Sequence, residues 1–103
     1  MIDEITLHHD DVEALCRRFH VRQLEVFGSA ARGDFDHQSS DIDFLVEFDR
    51  AHPEALSLRT YLGFKEALET VFGRSVDLVE SSALRNPHLK TSIERSLEPV
   101  FEA

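Results

Sequence analysis

Apolar residues recur along this chain with two different periods. Some segments repeat about every 3.6 residues, which predicts amphipathic helices, and others alternate every second residue, which predicts strands. The first helix is predicted through one apolar stripe: Val12, Leu15, Cys16 and Phe19. The clearest strand runs from Asp41 to Phe48, because its even-numbered positions are all apolar: Ile42, Phe44, Val46 and Phe48.

Shorter segments flank this strand. The chain is predicted to form a strand from Gln23 to Phe27 and a short helix from Ser29 to Arg32. A third strand is predicted from Ser75 to Glu80. The polar residues 34–40 predict a loop.

Prolines and a glycine delimit two further helices. A long helix is predicted to begin near Pro53 and to run to about Phe72, where a glycine ends it. A last helix is predicted to begin at Pro87 and to end or kink near Glu98, because Pro99 cannot continue it. Its apolar side would carry Leu89, Ile93 and Leu97.

The predicted order is α-β-α-β-α-β-α. Helices between strands favour an α/β or α+β domain, here a small mixed sheet with helices packed on it. The 103 residues are too few for two hydrophobic cores, so we expect residues 1–103 to form a single domain. A hydrophobic fraction of 42% argues against disorder.

The net charge of the chain limits the classes of ligand that it is expected to bind. The chain has 20 acidic residues against 11 Lys and Arg, a formal net charge of −9. Extended nucleic-acid binding needs clustered cations, so it is not expected. A small anionic ligand held through a metal ion is compatible with this charge.

Cysteine usage and hydropathy predict a cytoplasmic protein. The single Cys16 cannot form an internal disulfide, and its place on an apolar stripe predicts a core residue rather than a nucleophile. No apolar run approaches the roughly 20 residues needed to cross a bilayer. The six histidines are scattered without ligand-type spacing, so no histidine metal site is expected.

Gly28 and Ser29 stand between a predicted strand and a predicted helix start. Glycine allows close approach of a ligand to the backbone, and helix-start amides with a serine hydroxyl can hold a phosphate. An ordinary turn has the same composition. This pair alone leaves both interpretations open.

Asp41 and Asp43 begin the clearest strand. The two-residue period places both carboxylates on one face, roughly 6–7 Å apart along the strand. Mg²⁺ binds a few carboxylates together with phosphate oxygens and water. The alternative is a pair of solvated acids, although aspartates on one face of a strand repel unless a cation or water separates them.

Asp77 is the one acid between Val76 and Leu78 in the third predicted strand. Should this strand lie beside the strand of Asp41 and Asp43, three carboxylates would share one face. Such a cluster can hold two metal ions that activate an attacking oxygen and stabilise a leaving pyrophosphate. A salt bridge or an acid on an edge strand is the alternative.

In combination these segments resemble the nucleotidyltransferase superfamily of the DNA polymerase β type, and within it the minimal nucleotidyltransferases. The resemblance rests on three stretches: Val26-Phe27-Gly28-Ser29-Ala30-Ala31-Arg32-Gly33, Ser40-Asp41-Ile42-Asp43-Phe44-Leu45-Val46 and Val76-Asp77-Leu78-Val79. Residues 84–101 also resemble the closing helix of the family. The loop Ala30 to Ser40 is often one residue shorter in the family.

The resemblance implies transfer of a nucleoside monophosphate, with AMP from ATP as the expected case, and release of pyrophosphate. Asp41 and Asp43 would hold two Mg²⁺ ions on the triphosphate, and Asp77 would complete the metal site and help to activate the acceptor hydroxyl. Gly28 and Ser29 would bind the triphosphate, and Arg32 would add positive charge there.

The resemblance also implies a partner, because the chain leaves little room for an acceptor-binding domain. Small members of the family are often encoded beside a helical HEPN-type toxin that cleaves RNA, and such an antitoxin can attach AMP to a tyrosine of the toxin. This analogy predicts an antitoxin that AMPylates a HEPN-type partner; a second copy of the chain stays open as a further partner.

Two other classes remain as alternatives. A non-catalytic module could neutralise a basic partner by covering it with its acidic surface. Replacing Asp41 and Asp43 by asparagine would abolish the effect of an enzyme and spare that of such a module. A transferase for a small molecule such as an antibiotic is the third alternative, although those relatives usually carry an extra domain.

Overall fold

The computed structural model describes residues 2–32, 41–53, 57–81, 91, 93 and 96–103. The helices among them are α1 (Asp3–Leu7), α2 (His9–Arg18), α3 (Ser29–Arg32) and α4 (Leu58–Phe72). The strands are β1 (Val21–Phe27), β2 (Ile42–Phe48), β3 (Val76–Glu80) and β4 (Glu98–Glu102). Within these residues no helix is long and apolar enough to cross a membrane.

The four strands form one mixed sheet in the order β3-β2-β1-β4. β1 runs antiparallel to both β2 and β4, whereas β2 and β3 are parallel. Parallel neighbours need a crossover connection, and α4 lies between β2 and β3 in the chain. The predicted α/β class with a small mixed sheet is therefore confirmed.

One face of the sheet packs against α2 and α4 and forms the core. The alternating residues of β2 that were predicted to be buried all lie there: Ile42, Phe44, Val46 and Phe48. Phe64 and Leu68 of α4 and Cys16 of α2 are fully buried in the same core. Burial, with a smaller contribution from Glu13, raises the pKa of the Cys16 thiol to about 12. The thiol is thus a core group, as predicted.

The ends of α4 follow from local hydrogen bonds. The Ser57 hydroxyl accepts a hydrogen bond from the Thr60 amide at 3.1 Å and caps the first turn. At the other end Gly73 adopts a left-handed conformation, and its amide donates to the Glu69 carbonyl at 2.8 Å. The helix therefore begins at Leu58, later than the predicted start near Pro53; residues 54–56 lie outside the described part.

The end of the chain differs from the prediction. Thr91 and Ile93 are helical, but Glu98–Glu102 forms β4, where the sequence predicted the end of a helix. Pro99 is tolerated because β4 is an edge strand, which is where proline occurs in sheets. Most of the predicted last helix, including Leu89, lies outside the described residues, as does the predicted loop 34–40.

Two further findings concern burial and element count. Val100 and Phe101 belong to the core with 7% of their surface exposed. The helix α1 was not predicted, because five residues are too few to show a helical period. Its Ile5 is fully buried and extends the core. The predicted order lacked both α1 and β4.

Candidate active site

The parallel pairing of β2 with β3 brings two of the predicted acids together. In this register Asp43 lies directly opposite Asp77. Neighbouring strands are about 4.8 Å apart, so the two carboxylates occupy adjacent positions on one face. That face is the one opposite to the core, because Ile42 and Phe44 on either side of Asp43 are buried. The condition that the sequence analysis set for Asp77 is met.

Asp41 immediately precedes β2 and lies at the same end of the sheet. The Ile42 amide donates a hydrogen bond to the Ser75 carbonyl at 3.3 Å, which ties the start of β2 to the residue before β3. Asp41 and Asp77 are exposed, whereas Asp43 between them is half-buried. The three acids therefore form a cluster that is open to solvent on one side.

Gly28 approaches the Asp43 carboxylate from β1. A Cβ atom at residue 28 would lie 2.6 Å from Asp43 Oδ2, a distance that real Cβ atoms do not adopt. Gly28 also has a φ of +72°, which disfavours any residue with a side chain. Two independent constraints thus require glycine here, and the first of them, the close approach to Asp43, brings the Gly28-Ser29 turn against a predicted metal ligand.

The short helix α3 continues this turn. The Gly28 carbonyl accepts hydrogen bonds from the amides of Ala31 and Arg32, both at 3.1 Å. Ser29 is the first residue of α3 and is half-buried, and Arg32 is its last residue and is exposed. The structure therefore brings together at one end of the sheet all the residues that the sequence predicted: Gly28, Ser29, Arg32, Asp41, Asp43 and Asp77.

The surroundings of Asp43 disfavour the negative charge of its carboxylate. Burial raises the pKa of Asp43, and repulsion from Asp77 and then from Asp41 raises it further. The Arg32 guanidinium acts in the opposite direction and lowers the pKa of Asp43. A site that penalises the charge of its central carboxylate would be stabilised by a bound cation.

The donor set fits a hard divalent cation. Asp41, Asp43 and Asp77 offer carboxylate oxygens on one face, and oxygen ligands are those that Mg²⁺ prefers. Magnesium keeps waters and substrate phosphates in its coordination shell, so an open cluster beside a turn suits it better than a closed cage. The residues present therefore fit the metal ions that the resemblance implied.

Ser96 is a further residue at this end of the sheet that the sequence analysis did not identify. Its hydroxyl accepts a hydrogen bond from the Gly28 amide at 3.0 Å. Nothing local in the sequence connects Ser96 to a turn 68 residues earlier.

A second group of polar side chains lies on α2, away from these acids. Ligand atoms of His9, Asp10 and Glu13 lie within 4.8 Å of one another, although the sequence predicted no histidine metal site. The Glu13 carboxylate already accepts a hydrogen bond from Arg17 at 3.0 Å, and His9 and Asp10 are exposed. We therefore do not assign a metal site to these three residues.

A cluster of strand carboxylates beside a glycine-serine turn is the arrangement that the resemblance to nucleotidyltransferases implied. Residues 12–99 match the family model described as Nucleotidyltransferase domain. The match covers most of the chain, so the chain belongs to this family of enzymes.

Within that family the chain is a minimal nucleotidyltransferase. It is similar to a solved structure described as a putative minimal nucleotidyltransferase, with a TM-score of 0.77 and 32% identity over 94% of this chain and 93% of the other. It is 38% identical to the Putative protein adenylyltransferase MJ1379 of Methanocaldococcus jannaschii, over 93% of this chain and 91% of the relative. It is also 38% identical to the Protein adenylyltransferase MntA of Thermococcus cleftensis, over 84% and 80% respectively.

A more distant structure shares the fold alone. It is described as a tri-AMPylated Shewanella oneidensis HEPN toxin in complex with an MNT antitoxin. The TM-score is 0.66 at 18% identity, over 96% of this chain and 73% of the other.

We predict that Gly28→Ala abolishes divalent-cation binding at the acidic cluster, because the added methyl group would displace the Asp43 carboxylate. Gly73→Ala is the matched control, since φ there is +64° and, among the described residues, no atom outside its local backbone lies within 4 Å of the added Cβ. Left-handed backbone strain should cost each variant about 1–2 kcal/mol of stability. Calorimetric titration with Mn²⁺ should detect binding to Gly73→Ala and not to Gly28→Ala. Equal binding by both variants would contradict the role assigned to Gly28.

We predict that Asp43→Asn stabilises the cation-free protein at neutral pH. The raised pKa of Asp43 means that the folded state favours the protonated acid. This contribution is present below the ordinary pKa of an aspartate, about 3.9, and is lost as the pH rises through the raised pKa. Asparagine cannot ionise and therefore avoids this loss of stability. The gain in the free energy of unfolding should be full at pH 7 and should vanish as the pH falls.

Thermal unfolding of both proteins in EDTA across this pH range measures the effect. Asp10→Asn is the control, because Asp10 is fully exposed on α2 and should confer no such gain. Added Mg²⁺ should then stabilise the wild-type protein more than Asp43→Asn. A wild-type protein that is the more stable one in EDTA at pH 7 would contradict the electrostatic account.

Proposed function

We propose that this chain transfers AMP from ATP to a hydroxyl group of a partner protein, and that the partner is a HEPN-type toxin. The observation that carries the proposal is the pairing of Asp43 with Asp77 beside the Gly28 turn. The names of the two relatives at 38% identity, both protein adenylyltransferases, support a protein as the acceptor. The AMPylated HEPN toxin in the complex of similar fold supports the choice of partner.

In this proposal the triphosphate of ATP and the metal ions that accompany it are bound by different residues. Gly28 and Ser29 bind the triphosphate, and Arg32 adds positive charge beside it. Asp41 and Asp43 bind the metal ions that accompany the triphosphate, and Asp77 completes the metal site. Bound Mg²⁺ would supply positive charge that offsets the negative charge of the triphosphate and of the departing pyrophosphate.

The transfer itself exchanges one phosphorus–oxygen bond for another. The acceptor oxygen attacks the α-phosphorus of ATP, and the bond from this phosphorus to the oxygen bridging to the β-phosphorus breaks. Asp77 helps to remove the proton from the acceptor hydroxyl, and pyrophosphate leaves. Alignment of the attacking and leaving oxygens is the main requirement, so a rigid arrangement of turn and carboxylates favours the reaction.

We further propose that residues 1–103 act as one nucleotidyltransferase domain to which the partner brings the acceptor hydroxyl. No separate acceptor-binding domain is needed, because the exposed side of the acidic cluster is accessible to another protein. Asp41 and Asp77 are the exposed members of that cluster. A tyrosine on the surface of the partner could reach them directly.

A non-catalytic antitoxin that works by occlusion is the second candidate. The observation in its favour is acidic charge on the sheet outside the cluster. Burial and then the neighbouring charges of Glu102 and Glu47 raise the pKa of Glu25, so three carboxylates lie close together on β1, β2 and β4. A basic partner surface would be attracted to them.

We predict that ATP labelled on the α-phosphate labels the partner, whereas ATP labelled on the γ-phosphate does not. The experiment adds purified protein and Mg²⁺ to extract of the native host, and mass spectrometry identifies the labelled band. Asp41→Asn/Asp43→Asn should reduce labelling at least about 100-fold, because it removes two metal ligands.

Asp10→Asn/Asp11→Asn is the matched control, since it removes the same charge from exposed positions of α2 and should leave labelling intact. Equal labelling by the two double variants would refute catalysis at the acidic cluster. Labelling by neither wild type nor variants, with a co-purifying partner still inhibited, would favour occlusion.

A further inference from the structure

The Ser96 hydroxyl links the end of the chain to the turn after β1. It accepts a hydrogen bond from the Gly28 amide at 3.0 Å and lies 3.5 Å from the Ile93 carbonyl, to which it donates. The Ser96 amide donates to the same carbonyl at 3.1 Å. With its proton directed to Ile93, the hydroxyl presents a lone pair to the Gly28 amide.

The pairing of β1 with β4 explains why Ser96 reaches this turn. In that register Val26 lies opposite Glu98, and Glu25 lies opposite Pro99. Extending the same antiparallel register beyond β1 places Gly28 opposite Ser96. The side-chain hydrogen bond thus continues the pairing at the point where the backbone leaves the sheet.

Gly28 is held from three directions as a result. Its carbonyl accepts hydrogen bonds from α3, its amide donates to Ser96, and its Cα faces the Asp43 carboxylate. Loss of the hydroxyl removes the hydrogen bond that connects this turn to the segment preceding β4. Gly28 has wide conformational freedom, so the peptide on its amino side could then rotate.

We propose that Ser96 is a positioning residue, whose hydroxyl fixes the Gly28 turn relative to Asp43 and so fixes the triphosphate relative to the metal-binding carboxylates. This proposal rests on the proposed nucleotidyl transfer. Ser96 itself does not contact the substrate. The strand that the sequence analysis missed therefore has a role in the site, since β4 delivers Ser96.

The expected effect lies mainly on the rate of transfer. A displacement of about 1 Å in a catalytic group can cost roughly 100-fold in rate. Ser96→Ala should therefore lower kcat about 10- to 100-fold. Its KM for ATP should rise by a smaller factor, about threefold, because the turn is present but no longer held in one orientation.

Two further variants separate positioning from a general loss of stability. Ser96→Thr keeps the hydroxyl and should return kcat to within about threefold of the wild type. Ser57→Ala is the matched control. The Ser57 hydroxyl also accepts a hydrogen bond from a backbone amide, that of Thr60 at 3.1 Å, but it does so at the start of α4 and not at the Gly28 turn. This variant should lose stability and keep the wild-type kcat.

Hydrogen exchange of the Gly28 amide tests the contact without any activity. We expect exchange at least about 10-fold faster in Ser96→Ala than in the wild type, because an amide without its partner is less protected. Exchange in Ser57→Ala should equal that of the wild type. Unchanged Gly28 exchange in Ser96→Ala would overturn the proposal.

The kcat and the nucleotide affinity of Ser96→Ala also test the proposal. Wild-type kcat in Ser96→Ala would overturn the proposal, as would tighter nucleotide binding, which would mean that the hydroxyl competes with ATP for the Gly28 amide. If the wild-type chain transfers no label, the proposed function fails. The thermal shift induced by Mg²⁺ and AMP-PNP then decides the role of Ser96: a smaller shift in Ser96→Ala supports it, and an equal shift overturns it.

Discussion

The parallel pairing of β2 with β3 is the constraint on which the site depends, because it sets Asp43 opposite Asp77. Like charges facing each other across two strands cost up to about 1 kcal/mol. The apolar residues on the reverse face of the same strands contribute more, since burying one large aliphatic or aromatic side chain is worth about 1.5–3 kcal/mol. Phe44 and Leu78, adjacent to the two acids, are both in the core. Core packing therefore holds together carboxylates that would otherwise separate. Burial and then the remaining repulsion from Asp77 and Asp41 raise the pKa of Asp43.

The second requirement is a turn that can approach this acidic cluster. β1 lies in the middle of the sheet, between β2 and β4. The turn that follows β1 is therefore also central and lies beside the start of β2. Gly28 leaves the space that the Asp43 carboxylate occupies, and α3 begins at once behind it. Ser96 adds a contact from the turn that leads into the edge strand β4. Elements distant in sequence thus converge on a few atoms, which suits a reaction that depends on alignment more than on acid–base strength.

Much of this arrangement was predictable, because it follows from the order of apolar and polar residues within single strands. The alternation in β2 fixes which side of the strand Asp41 and Asp43 occupy, and Asp77 is conspicuous between two apolar neighbours. The pairing of β2 with β3 entered the sequence analysis as a condition, since register depends on contacts between distant residues. β4 was missed because Pro99 is a strong signal for the end of a helix, and only its place at the edge of the sheet makes it compatible with a strand. Ser96 was missed for a different reason, because its partner is Gly28 and not a neighbour in the chain.

We propose that Asp41, Asp43, Asp77 and the Gly28 turn form one nucleotide and metal site. Anomalous diffraction from crystals grown with Mn²⁺ and AMP-PNP tests this proposal, because manganese scatters anomalously and replaces magnesium at oxygen-rich sites. We expect manganese peaks in contact with the carboxylates of Asp41, Asp43 and Asp77, and we expect the triphosphate of AMP-PNP to contact Gly28 and Ser29. Manganese bound elsewhere, with these carboxylates in contact with water alone while the nucleotide is present, would contradict it.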